Sequence, residues 1–397
     1  MQVLFITLLS LNRGSSVTVS NRALIQGFLD NRCSITIVQP AIRAGEDNTY
    51  TKNLTENGVK FIFLGENTLK KPATECETTT TSEKSRMIQQ ICKILDVINP
   101  LDNAIRYFRK INLASGTLTD RYDLVISTSD PRSTHLFTDR LIKKGLKYGK
   151  WIQHWGDPLM NDISRKTIYP RKFMGLFEKR IIKNADKIIY VSPFTLELQR
   201  KSFAGFSDKM DFLPLMAGEE SDDTEPDYKN PVLGYFGDYM SKYRNIMPLY
   251  EAVKAHPEYK LQIIGNSDIT LECTDNIQVL PRVSIEELNE HSRKTLIHVC
   301  VCNTYGTQIP GKIYYHSNLN RPILVIVDGT DGHRIKKYLE KFKRYTICDN
   351  DPSDIYRAIN EIMKEEKKKF AVPEKIRSSY IAKQLMNLTN IQSKKEK

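Results

Sequence analysis

Short apolar runs alternate with amphipathic stretches from one end of the 397-residue chain to the other. The apolar runs are rich in Val, Ile, Leu and Phe, as strands buried on both faces of a parallel sheet are. The stretches between them place apolar residues at the spacing of a helix with one buried face. This alternation is typical of βα units around parallel sheets, so we predict an α/β protein with two Rossmann-like, doubly wound domains.

The predicted strands and helices fall into two series, one in each half of the chain. The first series has strands at residues 3–9, 35–39, 60–64, 123–127, 150–153 and 187–191, with helices at 18–29, 83–97, 133–144 and 172–182. The second series has strands at residues 232–236, 260–264, 277–280, 297–302 and 322–327, with helices at 246–255, 285–292, 312–318 and 355–368. Two irregular stretches of the first series, 44–57 and 69–82, are predicted to be mobile insertions.

The two series are separated by residues 218–230, which begin with an acidic run that has no periodicity. Such a stretch is typical of a linker between domains. We therefore predict a first domain at residues 1–217 and a second domain at residues 231–373. Open α/β sheets bind ligands beyond the carboxyl ends of their strands, so two such domains predict an interdomain cleft as the ligand site.

Composition narrows the class of protein. Hydrophobic residues make up 40% of the chain and charged residues 27%, which excludes a disordered or low-complexity protein. No apolar run approaches the roughly 18 to 20 residues that a membrane-spanning helix needs, and the apolar start is better explained by a first strand than by a signal peptide. The seven cysteines are scattered without the spacing of a metal site. This distribution predicts reduced thiols in the cytoplasm, with Cys300 and Cys302 packed in the core.

The chain carries a formal net charge of +12, and residues 140–187 hold most of the excess. That segment contains 13 Lys or Arg and four Asp or Glu, a local net charge of +9. Such a segment suits an anionic membrane surface or phosphorylated substrates, although a solvated lysine-rich face would have the same composition. No helix-turn-helix, RRM or zinc-finger pattern accompanies the charge, so we do not expect a nucleic-acid partner.

Two places in the first half carry candidate chemistry. Gly14 and Ser15 follow the first predicted strand and precede a predicted helix, whose free N–H groups favour anions; a plain turn with Ser15 as N-cap is the alternative. His154 and Asp157 follow the predicted strand at 150–153. A histidine beside a carboxylate suits proton transfer or the binding of a sugar hydroxyl, whereas a partly buried histidine and a helix-capping aspartate are the structural alternatives.

A series of motifs runs through both halves of the chain. In the first half they lie at residues 122–133 with His135, at 151–158 and at 184–192. In the second half they lie at 233–238 with 244–246, at 260–265, at 276–283 with 286–288, and at 308–314 with 321–324. Taken in this order, the motifs resemble those of the family 4 type of glycosyltransferase with the GT-B fold. The resemblance covers most of the chain.

This resemblance implies a first domain that binds the acceptor, a second domain that binds a nucleotide sugar, and a C-terminal helix, here residues 374–390, that packs back on the first domain. It implies sugar transfer with retention at the anomeric carbon, without a metal ion or another cofactor. A leaving diphosphate then needs fixed cations and N–H groups. The residues expected to hold the diphosphate are Gly14, Ser15, Arg244, Gly311 and Lys312. Those expected at the sugar and nucleotide are Gly237, Asp238, Arg282, Val283, Thr307, Gln308, Ile309 and Tyr315, and the expected catalytic pair is His154 and Asp157.

The chain departs from the pattern of this family at the donor site. Many relatives carry two glutamates eight positions apart, and Thr307 and Tyr315 stand at those positions. Contacts to ribose and sugar hydroxyls then fall to Thr307, Gln308 or the Tyr315 hydroxyl. Asp238 follows the loop glycine where relatives carry an arginine, and we expect Arg244 to replace that arginine.

We therefore predict a cytoplasmic glycosyltransferase of the hexosyl or N-acetylhexosaminyl class, peripheral on the cytoplasmic face of the membrane. Its acceptor is predicted to be a lipid-linked or growing surface polysaccharide. A nucleotide-sugar epimerase on the same architecture is one alternative, because fold alone does not fix chemistry. A non-catalytic sugar-binding or scaffold protein of a polysaccharide assembly complex is another, and the two missing glutamates favour it.

Overall fold

A computed structural model describes residues 1–43, 46–65, 98–163, 167–218, 227–365 and 369–390. The chain forms two compact units, one of Met1–Pro214 with Ser378–Lys397 and the other of Leu215–Arg377. The predicted helix at 83–97, the predicted insertion at 69–82 and most of the acidic stretch of the predicted linker lie outside the described residues.

The first unit is built on a seven-stranded parallel sheet with strand order β3-β2-β1-β4-β5-β6-β7. Its strands are β1 Gln2–Ile6, β2 Ser34–Pro40, β3 Lys60–Leu64, β4 Arg121–Thr128, β5 Lys147–Trp155, β6 Lys187–Tyr190 and β7 Met210–Phe212. The order reverses between β1 and β4, which lie side by side with Val3 paired to Leu124. This reversal is the switch point of a doubly wound sheet, where loops on the carboxyl side leave room for a ligand.

Helices cover this sheet and bury its apolar residues. They are α1 Ser16–Asp30, α2 Thr49–Glu56, α3 Ile111–Thr117, α4 Ser133–Lys143, α5 Arg171–Ile182 and α6 Pro193–Ser202, with a 3₁₀ helix at Asn103–Lys110. Trp151 and Trp155 of β5 are fully buried, and the Trp151 Nε1–H donates to Ser127 Oγ at 2.9 Å. Because its polar atom is satisfied, such a ring adds its full apolar area to the core, and truncating it to alanine would cost about 3–5 kcal/mol.

The second unit is built on a six-stranded parallel sheet with strand order β10-β9-β8-β11-β12-β13. Its strands are β8 Val232–Phe236, β9 Lys260–Ile264, β10 Ile277–Leu280, β11 Ile297–Val301, β12 Ile323–Val327 and β13 Thr346–Asp349. Its helices are α7 Met247–Lys254, α8 Ile285–Lys294, α9 Lys312–Tyr315, α10 Gly332–Leu339 and α11 Pro352–Met363. The strand order reverses between β8 and β11, so this unit repeats the doubly wound pattern of the first.

The last described helix, α12 Ser378–Asn390, belongs to the first unit and packs on α1. Asn31 Nδ2–H, at the end of α1, donates to the carbonyl of Ser379 at 2.8 Å. A Cβ added at Gly27 of α1 would lie 2.2 Å from the carbonyl oxygen of Ser378. The two helices therefore approach so closely that only glycine fits at residue 27.

The predicted fold class of two Rossmann-like, doubly wound domains is confirmed, and the structure corrects several elements. The stretch 44–57 contains α2 and is not irregular throughout. β1 ends at Ile6 rather than residue 9, because Thr7 Oγ1 accepts the N–H of Leu9 at 3.2 Å and the chain turns. The helix predicted at 355–368 ends at Met363. Besides α2, the strands and α-helices that were not predicted are β7, β13, α3, α6 and α10.

Candidate functional site

The loops that follow β8 and β11 meet at the switch point of the second sheet. Thr304, in the loop after β11, donates its N–H to the carbonyl of Tyr243, in the loop after β8, at 2.8 Å. Most of the residues predicted to bind the donor lie on these two loops or on the short helix that follows them. Sequence order alone separates the two loops by about 60 residues, and the parallel sheet brings them together.

Arg244 is held between the two loops by uncharged acceptors. Its Nε–H donates to Asn303 Oδ1 at 3.1 Å, and one terminal N–H donates to the carbonyl of Asp238, also at 3.1 Å. An amide oxygen and a carbonyl oxygen orient a guanidinium without cancelling its charge. Arg244 is therefore a positioned cation rather than half of one of the ion pairs formed among the described residues.

Lys312, the first residue of α9, lies against the loop after β8. A Cβ added at Gly237 would lie 2.3 Å from Lys312 Nζ, and the φ of Gly237 is +151°, so a side chain there would both strain the backbone and displace the ammonium group. Burial is the main cause that lowers the pKa of Lys312 to about 8; the positive charges of Arg244 and Arg282 act in the same direction, and Cys300 and Asp238 oppose them. Cations that repel one another in a partly buried place favour an anion as ligand.

Asp238 is engaged with protein groups. Its Oδ2 accepts from Arg282 at 2.6 Å, and its Oδ1 accepts the N–H of Asn266 at 3.0 Å. These bonds join the loop after β8 to the loops after β9 and β10. Val283 lies in the loop after β10. A Cβ added at Gly265 would lie 2.2 Å from the carbonyl oxygen of Gly237, so the loops after β8 and β9 also touch through their backbones.

The remaining predicted donor residues surround the start of α9. The side chain of Tyr315 lies against Gly311, because a Cβ added at Gly311 would be 3.0 Å from two ring carbons and the hydroxyl oxygen of Tyr315. Ile309 is buried in the core, and the buried Oε1 of Gln308 has no donor among the described residues. Because α9 has only four residues, its peptide dipoles add little, and the fixed cations Arg244 and Lys312 carry the electrostatic field here.

In the first unit, Gly14 and Ser15 lie in the loop after β1. Ser15 Oγ accepts the N–H of Thr18 at 3.1 Å and so acts as the N-cap of α1, and Gly14 is exposed. The same loop is fastened by Arg13, whose Nε–H donates to Glu46 at 2.9 Å. The structure thus shows the capping role that was the alternative for Ser15, and the role of Gly14 and Ser15 toward a phosphate stays a prediction.

His154 lies at the carboxyl end of β5 and is only 3% exposed. Its Nε2 has no hydrogen-bond partner among the described residues. Burial lowers the pKa of His154 to about 4, so the imidazole is neutral at physiological pH. A neutral imidazole of this low basicity can orient a hydroxyl group but is a weak general base.

Asp157 lies in the loop after β5, and three bonds to other parts of the unit hold that loop. Within the loop, the N–H of Gly156 donates to Ser129 Oγ at 3.1 Å, and the N–H of Met160 donates to Glu178 Oε2 at 2.7 Å. Asp162, in the same loop, forms an ion pair with Arg132 at 2.5 Å. The structure thus assigns Asp157 to a loop with a fixed shape.

Sequence reasoning missed the residues that hold this loop. Burial alone would lower the pKa of Arg132, but the carboxylates of Asp130, Asp162 and Asp157 raise it above its ordinary value, so Arg132 stays charged. Burial raises the pKa of Glu178 to about 7. A signal for Glu178 was present, because it shares the helical spacing of the buried Met174 and Ile181 on α5.

Comparison with known proteins finds solved structures that share the fold of this chain. No model of a known protein family and no curated protein matches the chain. Solved structures do: HepE from Anabaena in complex with UDP and glucose has a TM-score of 0.54 at 10% identity, over 99% of this chain and 98% of that chain. The lipopolysaccharide outer core galactosyltransferase WaaB has a TM-score of 0.52 at 12% identity, over 99% and 100%. A glycosyltransferase from Rickettsia africae has a TM-score of 0.54 at 11% identity, over 100% and 99%.

These structures are GT-B glycosyltransferases, and the two parallel-sheet units of this chain have the fold of that class. At such low identity the likeness concerns the fold, so membership of family 4 and the stereochemistry of transfer remain predictions. None of the described helices is both long enough and apolar enough to cross a membrane.

Proposed function

We propose that this chain is a glycosyltransferase that moves a sugar from a nucleotide-diphosphate sugar to an acceptor, without a metal ion and with retention at the anomeric carbon. One observation carries the proposal. In a GT-B fold, at the switch point of the second sheet, Arg244 and Lys312 form a pair of close cations, and the acceptors that orient Arg244 are neutral. That is the electrostatic arrangement that a leaving diphosphate requires.

The cations act on the leaving group. As the glycosidic bond to the diphosphate breaks, negative charge grows on the phosphate oxygen that departs. Arg244 is already oriented by Asn303 and the Asp238 carbonyl, so little reorganisation is needed to meet that charge. The ammonium group of Lys312 becomes more basic beside an anion, so it stays protonated and adds the second positive charge.

On the acceptor side we propose that Asp157 and His154 contact the reacting sugars. The fixed loop after β5 gives Asp157 a defined position, and the neutral imidazole of His154 suits a hydroxyl rather than a phosphate. Thr307, Gln308 and Tyr315 take the sugar and ribose contacts that glutamates make in relatives. The Oε1 of Gln308, which has no donor within the described part of the chain, offers an acceptor for a hydroxyl. The complex of HepE with UDP makes UDP the first nucleotide to test.

We further propose a lipid-linked or growing polysaccharide as the acceptor, met at an anionic membrane surface on the cytoplasmic side. The support is the excess of basic residues in 140–187, which matches the charge of such a surface and of a lipid diphosphate. A non-catalytic scaffold is the second candidate function, favoured by the absence of carboxylates at Thr307 and Tyr315.

The test is an assay of nucleotide release. Purified chain is incubated with UDP-glucose, UDP-galactose or UDP-N-acetylglucosamine, with and without a lipid-linked oligosaccharide fraction. We expect free UDP to be produced only when acceptor is added, and much less by Arg244→Ala. A new nucleotide sugar formed without acceptor would instead indicate an epimerase. No turnover with any donor, despite nucleotide binding, would favour the scaffold.

A further inference from the structure

The solvent-facing side of α5, together with the residue three positions before the helix, carries apolar side chains that no part of the described chain covers. Leu176 is 69% exposed, Ile168 is 62% exposed and Phe173 is 41% exposed. Scattered exposed apolar residues are ordinary, but three within nine positions of sequence form a patch. We call this patch and its flanking cations the α5 face.

Five exposed cations flank the apolar residues of the α5 face: Arg171, Lys172, Lys179, Arg180 and Lys183. Lys172, Leu176, Lys179 and Lys183 follow one another at helical spacing along the outermost stripe of the helix. The only acidic residue between 167 and 183 is Glu178, which is fully buried and bonded to Met160 on the opposite side. The exposed side of this helix is therefore apolar and positive, with no negative charge of its own.

The apolar side chains are held in place by their neighbours. The rings of Tyr169 and Phe173 are stacked with centroids 4.7 Å apart, and Phe173 also stacks on Phe177 at 6.4 Å. The buried side of α5, including Met174 and Ile181, anchors the helix to the core of the first unit. A surface that is already ordered loses little conformational entropy when it meets a partner.

The neighbouring helix α4 extends the positive surface. It packs beside α5 and exposes Arg140, Lys143 and Lys144 near its end. One carboxylate, Asp139, faces this group and is bonded to Lys143 and to Asn184. The cations thus outnumber the carboxylates on both helices.

We propose that the α5 face is a membrane-docking surface, which inserts Ile168, Phe173 and Leu176 among the headgroups of an anionic bilayer while the flanking cations contact lipid phosphates. Exposed aliphatic groups beside a ring of Lys and Arg are typical of helices that lie in a bilayer interface. Nucleic acid would satisfy the cations but offers nothing to Leu176 and Ile168. The proposal deepens the proposed function, because a lipid-linked acceptor lies in such a bilayer, yet docking itself requires no donor.

The first experiment is co-sedimentation of the full chain with vesicles of phosphatidylcholine alone or mixed with phosphatidylglycerol. We expect binding to the mixed vesicles only. Phe173→Ser with Leu176→Ser should lower the partition coefficient at least tenfold, because each side chain loses its burial in the bilayer. Lys172→Gln and Lys179→Gln should each lower it about fivefold at low salt, which equals about 1 kcal/mol.

The matched control is Ile285→Ser, which removes an apolar side chain of similar exposure, 51%, from the second unit. It should leave vesicle binding unchanged. Insertion can be followed directly in Phe173→Trp, because Trp151 and Trp155 are fully buried and contribute a constant emission. We expect the added emission to shift to the blue with mixed vesicles and not with phosphatidylcholine.

Three results would overturn the docking proposal. The first is no binding of the unmodified chain to mixed vesicles, and the second is equal vesicle binding by the unmodified chain and the Phe173→Ser Leu176→Ser variant. The third is that the unmodified chain binds the acidic polymer polyglutamate as well as it binds mixed vesicles and that the variant binds the polymer equally well. The last result would indicate an acidic protein partner. Stabilisation by nucleotide is measured on the unmodified chain and on the same variants. If nucleotide stabilises the unmodified chain while that chain does not bind mixed vesicles, the docking proposal alone fails, whereas docking of the unmodified chain without nucleotide binding overturns only the donor site.

Discussion

The lowered pKa of Lys312 predicts an affinity for nucleotide sugars that depends on pH. Burial and the neighbouring cations lower that pKa to about 8 in the free protein. With such a pKa, about 90% of the molecules carry a protonated Lys312 at pH 7 and about 10% at pH 9. A bound diphosphate returns the pKa toward its ordinary value of 10.5, so the bound form stays protonated over this range.

The expected magnitude follows from this difference in protonation. Because only the protonated form offers the second cation, the dissociation constant of a nucleotide sugar should rise about tenfold between pH 7 and pH 9, which is about 1.4 kcal/mol. At pH 8, binding should take up about half a proton. Nucleotide sugars suit the measurement, since both of their phosphates are ionised throughout this range.

The assay is isothermal titration calorimetry with UDP-glucose at pH 7, 8 and 9, repeated at pH 8 in buffers with different heats of ionisation. Lys312→Met is the control, because it keeps the apolar stem and removes the titrating group. The variant should bind more weakly at pH 7 and show no rise in dissociation constant up to pH 9. A wild-type affinity that is constant from pH 7 to pH 9, or a pH dependence that persists in Lys312→Met, would refute the assignment of Lys312 to the diphosphate.

Four further predictions concern single side chains. Gly237→Ala should raise the nucleotide dissociation constant, measured by calorimetry, at least tenfold, because the added methyl group displaces the Lys312 ammonium. Gly332→Ala is the control: its Cβ would lie an ordinary 3.8 Å from Val327, and the dissociation constant should stay unchanged. Arg244→Ala should raise the nucleotide dissociation constant at least tenfold, which is about 1.4 kcal/mol. Asn303→Ala removes only one hydrogen bond that orients Arg244, so it should raise the constant less. An unchanged affinity in Arg244→Ala would remove that residue from the site. Asp157→Asn should lower turnover in the release assay with little change in nucleotide affinity, and full activity would contradict its role. Burial raises the pKa of Glu178 from its ordinary 4.5 to about 7, so folding becomes less favourable as this carboxyl group ionises. In urea unfolding, the free energy of unfolding of the wild type should therefore fall relative to that of Glu178→Gln by up to about 3 kcal/mol as the pH rises from 4.5 to 8. A difference between the two proteins that does not change with pH would contradict the burial of this carboxyl group.

The long apolar strands were predictable because their composition is decisive. Ile323–Val327, for example, is an unbroken β-branched and leucine run between a proline and a polar turn, and it forms β12. β7 and β13 were not predicted because each is short and contains an aspartate, so neither Met210–Phe212 nor Thr346–Asp349 forms an apolar run. α6 had a recognisable start, since Ser192 caps it through the N–H of Thr195 and Pro193 follows.

The candidate site was only partly predictable. Arg244 and Lys312 were found through a resemblance, but that Lys312 lies against Gly237 depends on a strand order that brings together residues 75 positions apart. The engagement of Asp238 by Arg282 likewise joins two loops that follow different strands. The pairing of Arg132 with Asp162 has no sequence signature, because Arg132 lies in the motif at 122–133 but Asp162 lies 30 positions later, and only the packed loop brings them together. Burial and electrostatics of this kind are products of tertiary structure.

The proposed function depends on the second unit binding a nucleotide diphosphate through Arg244 and Lys312. A thermal-shift screen tests this binding: UDP, GDP, ADP and CMP, with their sugar conjugates, are added to the wild type and to the Arg244→Ala Lys312→Met double variant. At about 100 times its dissociation constant, a true ligand adds about 2.7 kcal/mol of stability, a shift of a few degrees. We expect one nucleotide diphosphate to produce this shift in the wild type and none in the double variant. No shift with any nucleotide, or the same shift in both proteins, would contradict the claim.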